Sequence, residues 1–245
     1  MNKQVTILLL MLFTISFSLL WSDNTIVLWE KARAIVEANY NIVPGITHHQ
    51  MVTTDDKSGK ILQSSDVMIS HQLNDEGEIV SFILEQAIEG EDSNHPDNDK
   101  MVKGLLERDL SPKREGIFFT EIGKNLQVIE TDIRKEINGY NCREYEIKYT
   151  THDEDKKEIT FTGSVWLEEN SGAPIYNMFD MDKTPPLVRE LTIERWFHFD
   201  EDSKQWFLKE MKSTAAVRFL LKRMTNITSM LYSNHWYYPV EETEN

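Results

Sequence analysis

Cysteine is nearly missing from this chain: Cys142 is the one thiol in 245 residues. A single thiol closes no internal disulfide, and a domain of this size needs none. With no His and no helix start beside it, Cys142 reads as a small buried strand residue rather than a reactive thiol. Positive charge is short as well. Lys and Arg number 26 against 41 Asp and Glu, a net charge of −15. Such a surface repels phosphate backbones, which argues against nucleic acid as a partner and against simple adhesion to anionic lipid headgroups.

Catalytic motifs are lacking too. No G-x-S-x-G elbow, no H-E-x-x-H and no Gly-rich phosphate loop occurs. His48 and His49 are strand neighbours and point to opposite faces, so they make no joint metal site. The acids Asp92, Asp97 and Asp99, the run 152–155, and Asp200, Glu201 and Asp202 lack the fixed spacing and Gly of a calcium loop. They read as solvated turns. The expectation is no catalytic residue, no metal and no cofactor. Carboxylates paired only by the fold stay open, and with them a secreted hydrolase.

Long apolar runs are confined to the start. Residues 1–22, MNKQVTILLLMLFTISFSLLWS, have a Lys near the amino terminus, an apolar core and a polar continuation at Asp23. That is the pattern of a secretory signal peptide. Leu20 is a poor residue three before a cut at Ser22, so an uncleaved tether to the inner membrane is the alternative. No Cys follows for lipid attachment. The expectation is export, with residues 23–245 forming one domain.

Within that domain the periodicity opens helical. Ile26, Leu28, Trp29, Ala32, Ile35, Val36 and Tyr40 lie on one helix face, ended near Pro44. The period then becomes two. Strands are expected over 46–54, 60–70 and 78–89, with Val80, Phe82, Leu84 and Ile88 on one side of the third. An acidic loop and a short helix over 99–108 interrupt the sheet. Further strands are expected over 117–122, 126–131, 140–151, 158–168, 173–181, 188–199, 204–222 and 225–238, with a hairpin turn at Asn138-Gly139. The fold class is mainly β with helices: a curved antiparallel sheet covered by an N-terminal helix and an inserted one.

Large apolar residues gather in the later strands. Phe207, Met211, Ala215, Val217, Phe219 and Leu221 fall on one face of a long strand, with Ile193, Phe197 and Phe199 as a matching row on its predecessor. A twisted sheet this long curls, and its concave face must be filled by its own helices or by a ligand. Ordinary core packing is the plainer account of such rows. The alternative is an open apolar cavity lined by Phe82, Phe119, Trp166, Met178, Phe197, Phe207, Met211 and Phe219.

Two segments, INGYNCREYEI (137–147) and GSVWLEENSGAPIYNMFDMD (163–182), carry a resemblance. Their Gly139, Cys142, Tyr145, Val165, Trp166, Gly172 and Pro174 resemble a strand and a hairpin of the periplasmic lipoprotein-carrier superfamily typified by LolA and LolB. The resemblance implies an open half-barrel holding the acyl chains of lipids or lipoproteins, without enzymatic activity, in outer-membrane lipoprotein sorting. Envelope sensing or protein interaction on the same fold is the other role it implies, with membrane-envelope proteins as partners. The carriers' gating Arg on an early strand has no counterpart here, since no Arg stands between Arg33 and Arg108.

Overall fold

The structure, a computed structural model, describes residues 27–90, 96–152, 158–182, 187–219 and 222–239. The export segment, Asp92 and the tip of the 152–157 turn lie outside the described residues, as does the side chain of Phe219. Among the described residues no helix is long and apolar enough to cross a membrane.

Helix α1 (residues 27–39) comes first. It is followed by β1 (Ile42–Val43), β2 (Ile46–Asp55), β3 (Ile61–Leu73) and β4 (Ile79–Gly90). Helix α2 (Pro96–Leu106) separates these from β5 (Leu126–Ile137), β6 (Tyr140–His152), β7 (Glu158–Glu168) and β8 (Pro174–Met181). Then come β9 (Val188–Asp200), β10 (Gln205–Phe219), β11 (Lys222–Ser233) and β12 (Trp236–Tyr237). Ten strands form one antiparallel sheet in the order β4-β3-β2-β11-β10-β9-β8-β7-β6-β5. The sheet does not close: β4 and β5 are its two edges. The mainly β class, the open curved sheet and its two covering helices thus stand as the periodicity predicts.

Each step along the order is a hairpin except one, the pairing of β11 with β2. Turn chemistry fixes the hairpins. Asn138 and Gly139 both hold positive φ, 52° and 85°, the twist-matched geometry of a two-residue turn. Both helices lie on the same side of the sheet. Trp29 of α1 meets Tyr145 and Phe118 at ring distances of 5.9 and 5.0 Å, over inner positions of β5 to β9. On α2, Val102 packs on Val67 and Ile69 of β3.

Topology forces a crossing between them. Between Gly90 and Leu126 the chain travels from one sheet edge to the other. Ten strands span nine steps of about 4.8 Å, roughly 43 Å. Residues 107–125 therefore run as a strap over the inner face, from α2 toward α1. The strap is pinned at its far end, where Arg33 Nε donates to the Phe118 carbonyl at 2.9 Å and Arg114 sits 4.6 Å over the Tyr40 ring.

Four expectations need correction. Residues 117–122 form a turn rather than a strand: the Phe119 N–H and the Thr120 hydroxyl both donate to the Gly116 carbonyl, and Phe118 plugs the space under Trp29. The inserted helix begins at Pro96, earlier than 99, because proline suits the first helical turn. The final strand breaks at Asn234, whose φ is 53° and whose carbonyl accepts from the Gly45 N–H; the residues beyond it pair with β1. Bulges also change faces. An extra residue at Leu84 puts Phe82 opposite Ser70 but Ile83 opposite Ile69, so Phe82 and Ile88 are not on one side. An extra residue at Lys209 puts Phe207 opposite His198 while Met211 stands opposite Arg195, so Phe207 leaves the row.

Candidate functional site

Strand register defines the centre of the inner face. One rung runs Asn177–Arg195–Met211–Met230–His49–Val67, across β8, β9, β10, β11, β2 and β3. Its outer members are buried by the helices. Its middle, with Met211, Met230 and the neighbouring Ser213, Ala215, Thr228 and Met51, is half-buried, with Arg108 of the strap at Met230. A strip of the inner face thus lies between two helix-covered regions.

The strip is mostly apolar with a few placed polar groups. Arg195 occupies an inner position of β9 between Ile193 and Phe197. It is half-buried, and among the described residues it has no ion-pair partner within 4.0 Å and no hydrogen bond. Arg108 reaches down from the strap, its Nη1 3.1 Å from the Met230 sulfur. The His49 Nδ1 and the Asn177 side-chain oxygen are buried with no partner among the described residues.

Electrostatics follow from this crowding. Burial first, and then the charge of Arg108, hold His49 and His71 below the ordinary histidine value of 6.5. Both rings stay neutral. The His71 Nδ1 and Nε2 lie 2.9 Å from Ser81 and Thr47 hydroxyls. Burial likewise raises the Tyr232 hydroxyl, against the pull of Arg108.

Beside Arg195 a cavity of about 170 Å³ is lined by Ile117, Tyr149, Phe161, Phe179 and Ile193. That is below the roughly 300–1,000 Å³ of an ordinary ligand pocket. A long apolar ligand fits only by running out along the strip or lifting the strap near Ile117. A larger hollow of about 430 Å³ lies on the outer face, around Met178, Ile129, Glu144, Glu146 and Lys148. Its charged rim makes it a solvated groove.

Of the eight residues expected to line one cavity, the seven with described side chains do not gather. Met211 is in the strip. Phe197 is core, stacked on Trp206 at 4.4 Å, and Phe119 is half-buried at the strap's end. Trp166 is buried but shares its rung with Glu144 and Tyr176, one residue out of phase with inward Val165. Met178, opposite Ser164 and Glu194, and Phe207, stacked on His235 at 4.2 Å, also face outward. Phe82 is 52% exposed on the edge strand. Sequence reasoning passed over Arg195, although a charged residue at an inward position of an apolar row was a legible signal. Arg108 carried none, because its placement depends on the crossing.

Cys142 is buried, and burial together with Glu168 pushes its thiol up to about 12, the state of an inert strand residue. His48 and His49 do part to opposite faces: His48 pairs with Asp66 at 2.7 Å on the outer side. Among the described residues no three His, Cys, Asp or Glu side chains group so as to hold a metal.

No protein-family model matches this chain, and no curated protein matches it. Among solved structures it is similar to one described as lipid–protein interactions in lipovitellin, at 9% identity and a TM-score of 0.33. That match covers 82% of this chain and 26% of the other, so the chain spans about a quarter of that protein's length. A likeness this slight carries no argument about function.

Proposed function

We propose that the protein is an exported, non-enzymatic binder of lipid or lipoprotein acyl chains, which lie along the strip between α1 and α2. The observation that carries this reading is the half-buried centre of the inner face, where Met211, Met230, Met51 and Ala215 lie outside both helix-packed clusters and Arg108 of the strap reaches Met230. Met side chains adapt to irregular apolar contacts. Each acyl methylene leaving water contributes about 0.8 kcal/mol. The family resemblance of the 137–147 and 163–182 segments and the apolar opening segment agree with a periplasmic carrier in outer-membrane lipoprotein sorting. If the signal stays uncleaved, the domain is instead tethered at the inner membrane.

The test is mass spectrometry of lipids extracted from the natively purified protein, with titration of a fluorescent fatty acid. Co-purifying lipid and saturable uptake are expected. Finding neither sinks the reading.

A second reading, an envelope sensor or protein-interaction module, is favoured by the β4 edge. There Phe82, Ile83 and Leu84 are 52%, 40% and 51% exposed beside unpaired strand backbone. Crosslinking from that edge to an envelope protein, with no lipid bound, is its expected signature.

A further inference from the structure

The chain has 41 carboxylates for 26 Lys and Arg, so a cation without an acid is one that the fold has kept apart from acids. Two such cations meet over the strip. Arg195 has no ion-pair or hydrogen-bond partner among the described residues, and Arg108 meets the Met230 sulfur and the Tyr232 hydroxyl but no acid among them. The inner positions of β9, Leu191, Ile193, Phe197 and Phe199, are all apolar. The next strands contribute Met211 and Met230 at the same level. A charge half withdrawn from water among apolar side chains gains more from an opposite charge than an exposed one does. Burial and the like charge of Arg108 both work against the Arg195 guanidinium, and an incoming anion relieves both.

We infer that the rung through Arg195 receives the acidic head group, a carboxylate or phosphate, of a single-chain amphiphile whose tail takes the apolar strip. The inference rests on the acyl-binding reading above and names the chemistry of its ligand. Arg195 supplies the fixed contact at the mouth of the Ile117–Phe179 cavity. Arg108 supplies the second charge from the strap, so ligand binding and strap closure are one event. The chain as a whole is acidic, so its net field disfavours non-specific binding of anions.

The experiment titrates the full chain with oleate, oleyl alcohol and inorganic phosphate, followed by calorimetry and tryptophan fluorescence. Oleate is expected to bind at least about tenfold more tightly than the alcohol. Arg195→Gln should erase that preference, with the larger loss falling on oleate. Arg195→Lys should keep part of it, and Arg108→Gln should reduce it. Equal binding of oleate and alcohol by the wild type overturns the inference and leaves the acyl-binding reading standing. Equal losses for both ligands in Arg195→Gln also overturn it, by making Arg195 structural. Phosphate binding as tight as oleate makes the rung a free-anion site and overturns the head-group role. No binding of oleate or alcohol overturns the acyl-binding reading itself.

Discussion

The two helix-covered parts of the inner face are built to different standards. Under α1, eighteen buried residues form one cluster, with Trp29, Ala32, Cys142, Tyr145, Val165, Leu167 and Ile175 at 1% exposure or less. Under α2 the corresponding cluster is Val67, Ile69 and Val102, with half-buried Met101, Leu105 and Leu106 around it. The neighbouring inner positions there are polar: Ser65, His49, Thr47 and His71 are buried. The difference teaches that the α1 half is the packed anchor of the fold. The thin half, with the strap, is held by the smaller buried cluster.

Truncating the anchor tests the comparison most severely. Trp29→Ala is expected to cost about 3–5 kcal/mol, enough to threaten folding. Val102→Ala, which removes two methylenes' worth of apolar contact, should cost about 1.5 kcal/mol. Urea denaturation of both variants measures the ratio. Equal losses would mean that α2 is as firmly docked as α1, and the comparison fails.

The next largest effect concerns the 169–173 turn, which sits against α1. Gly172 has a φ of +81°, and a Cβ there would stand 2.6 Å from the Lys31 Cβ and 3.1 Å from the Leu28 carbonyl. Gly139 has a similar φ of +85° with open space around it. Gly139→Ala should therefore cost only the left-handed backbone, about 1–2 kcal/mol. Gly172→Ala should cost about 2–4 kcal/mol, because close packing is added to the strain. Thermal unfolding of the pair isolates the contact of the turn with α1.

Much of this architecture is written in the chain as alternation. The 158–168 strand has the same ends in sequence and structure, and Asn138-Gly139 makes the turn that its residue types demand. Alternation fails where one strand carries an extra residue. The bulges at Leu84 and Lys209 exist only against their partners, and each moves a Phe, Phe82 and Phe207, to the outer face. It fails again at Ile117, Phe118 and Phe119, three apolar residues in a row that read as strand. Their partner is Trp29, almost ninety residues earlier, and local pattern holds no trace of it. The candidate site was less legible than the fold because it is made by a crossing. Arg195 was visible as a charge in an apolar row, whereas Arg108 joins it only through the path of the strap.

Acid should separate the two halves next. His49 and His71 have folded values below the unfolded 6.5, so the unfolded chain takes up protons first as pH falls. Their contribution to stability is complete above 6.5 and is lost as pH falls from there through the folded values. His49 also feels Asp66 and His48 across β2 and β3, and Arg108 from the strap. In the α1 half the buried carboxylate is Glu168. Burial pushes it up, but hydrogen bonds from Ser171 and Asn170 outweigh that and leave it below its usual 4.5. Its contribution is present above 4.5 and is lost only as pH falls further. Hydrogen exchange at about pH 5.5 should therefore show β3 losing protection before β7 does. His71→Gln should remove part of that difference. Parallel loss in both halves would show that they open as one unit.

The smallest effect is expected at the outermost strand of the thin half. Phe82 faces outward, 52% exposed, with Ile83 and Leu84 beside it and, among the described residues, no strand beyond. It buries too little to matter to the core, so Phe82→Ser should change stability by no more than about 0.5 kcal/mol. Its value lies in association, because an apolar edge with unpaired backbone is a template for another strand. Sedimentation velocity of wild type and variant at matched concentration should show less self-association in the variant, with unchanged unfolding midpoints. A large drop in midpoint would mean that β4 is already covered in solution. The α2 half would then gain its missing packing from a partner, and its thinness would belong to the isolated chain alone.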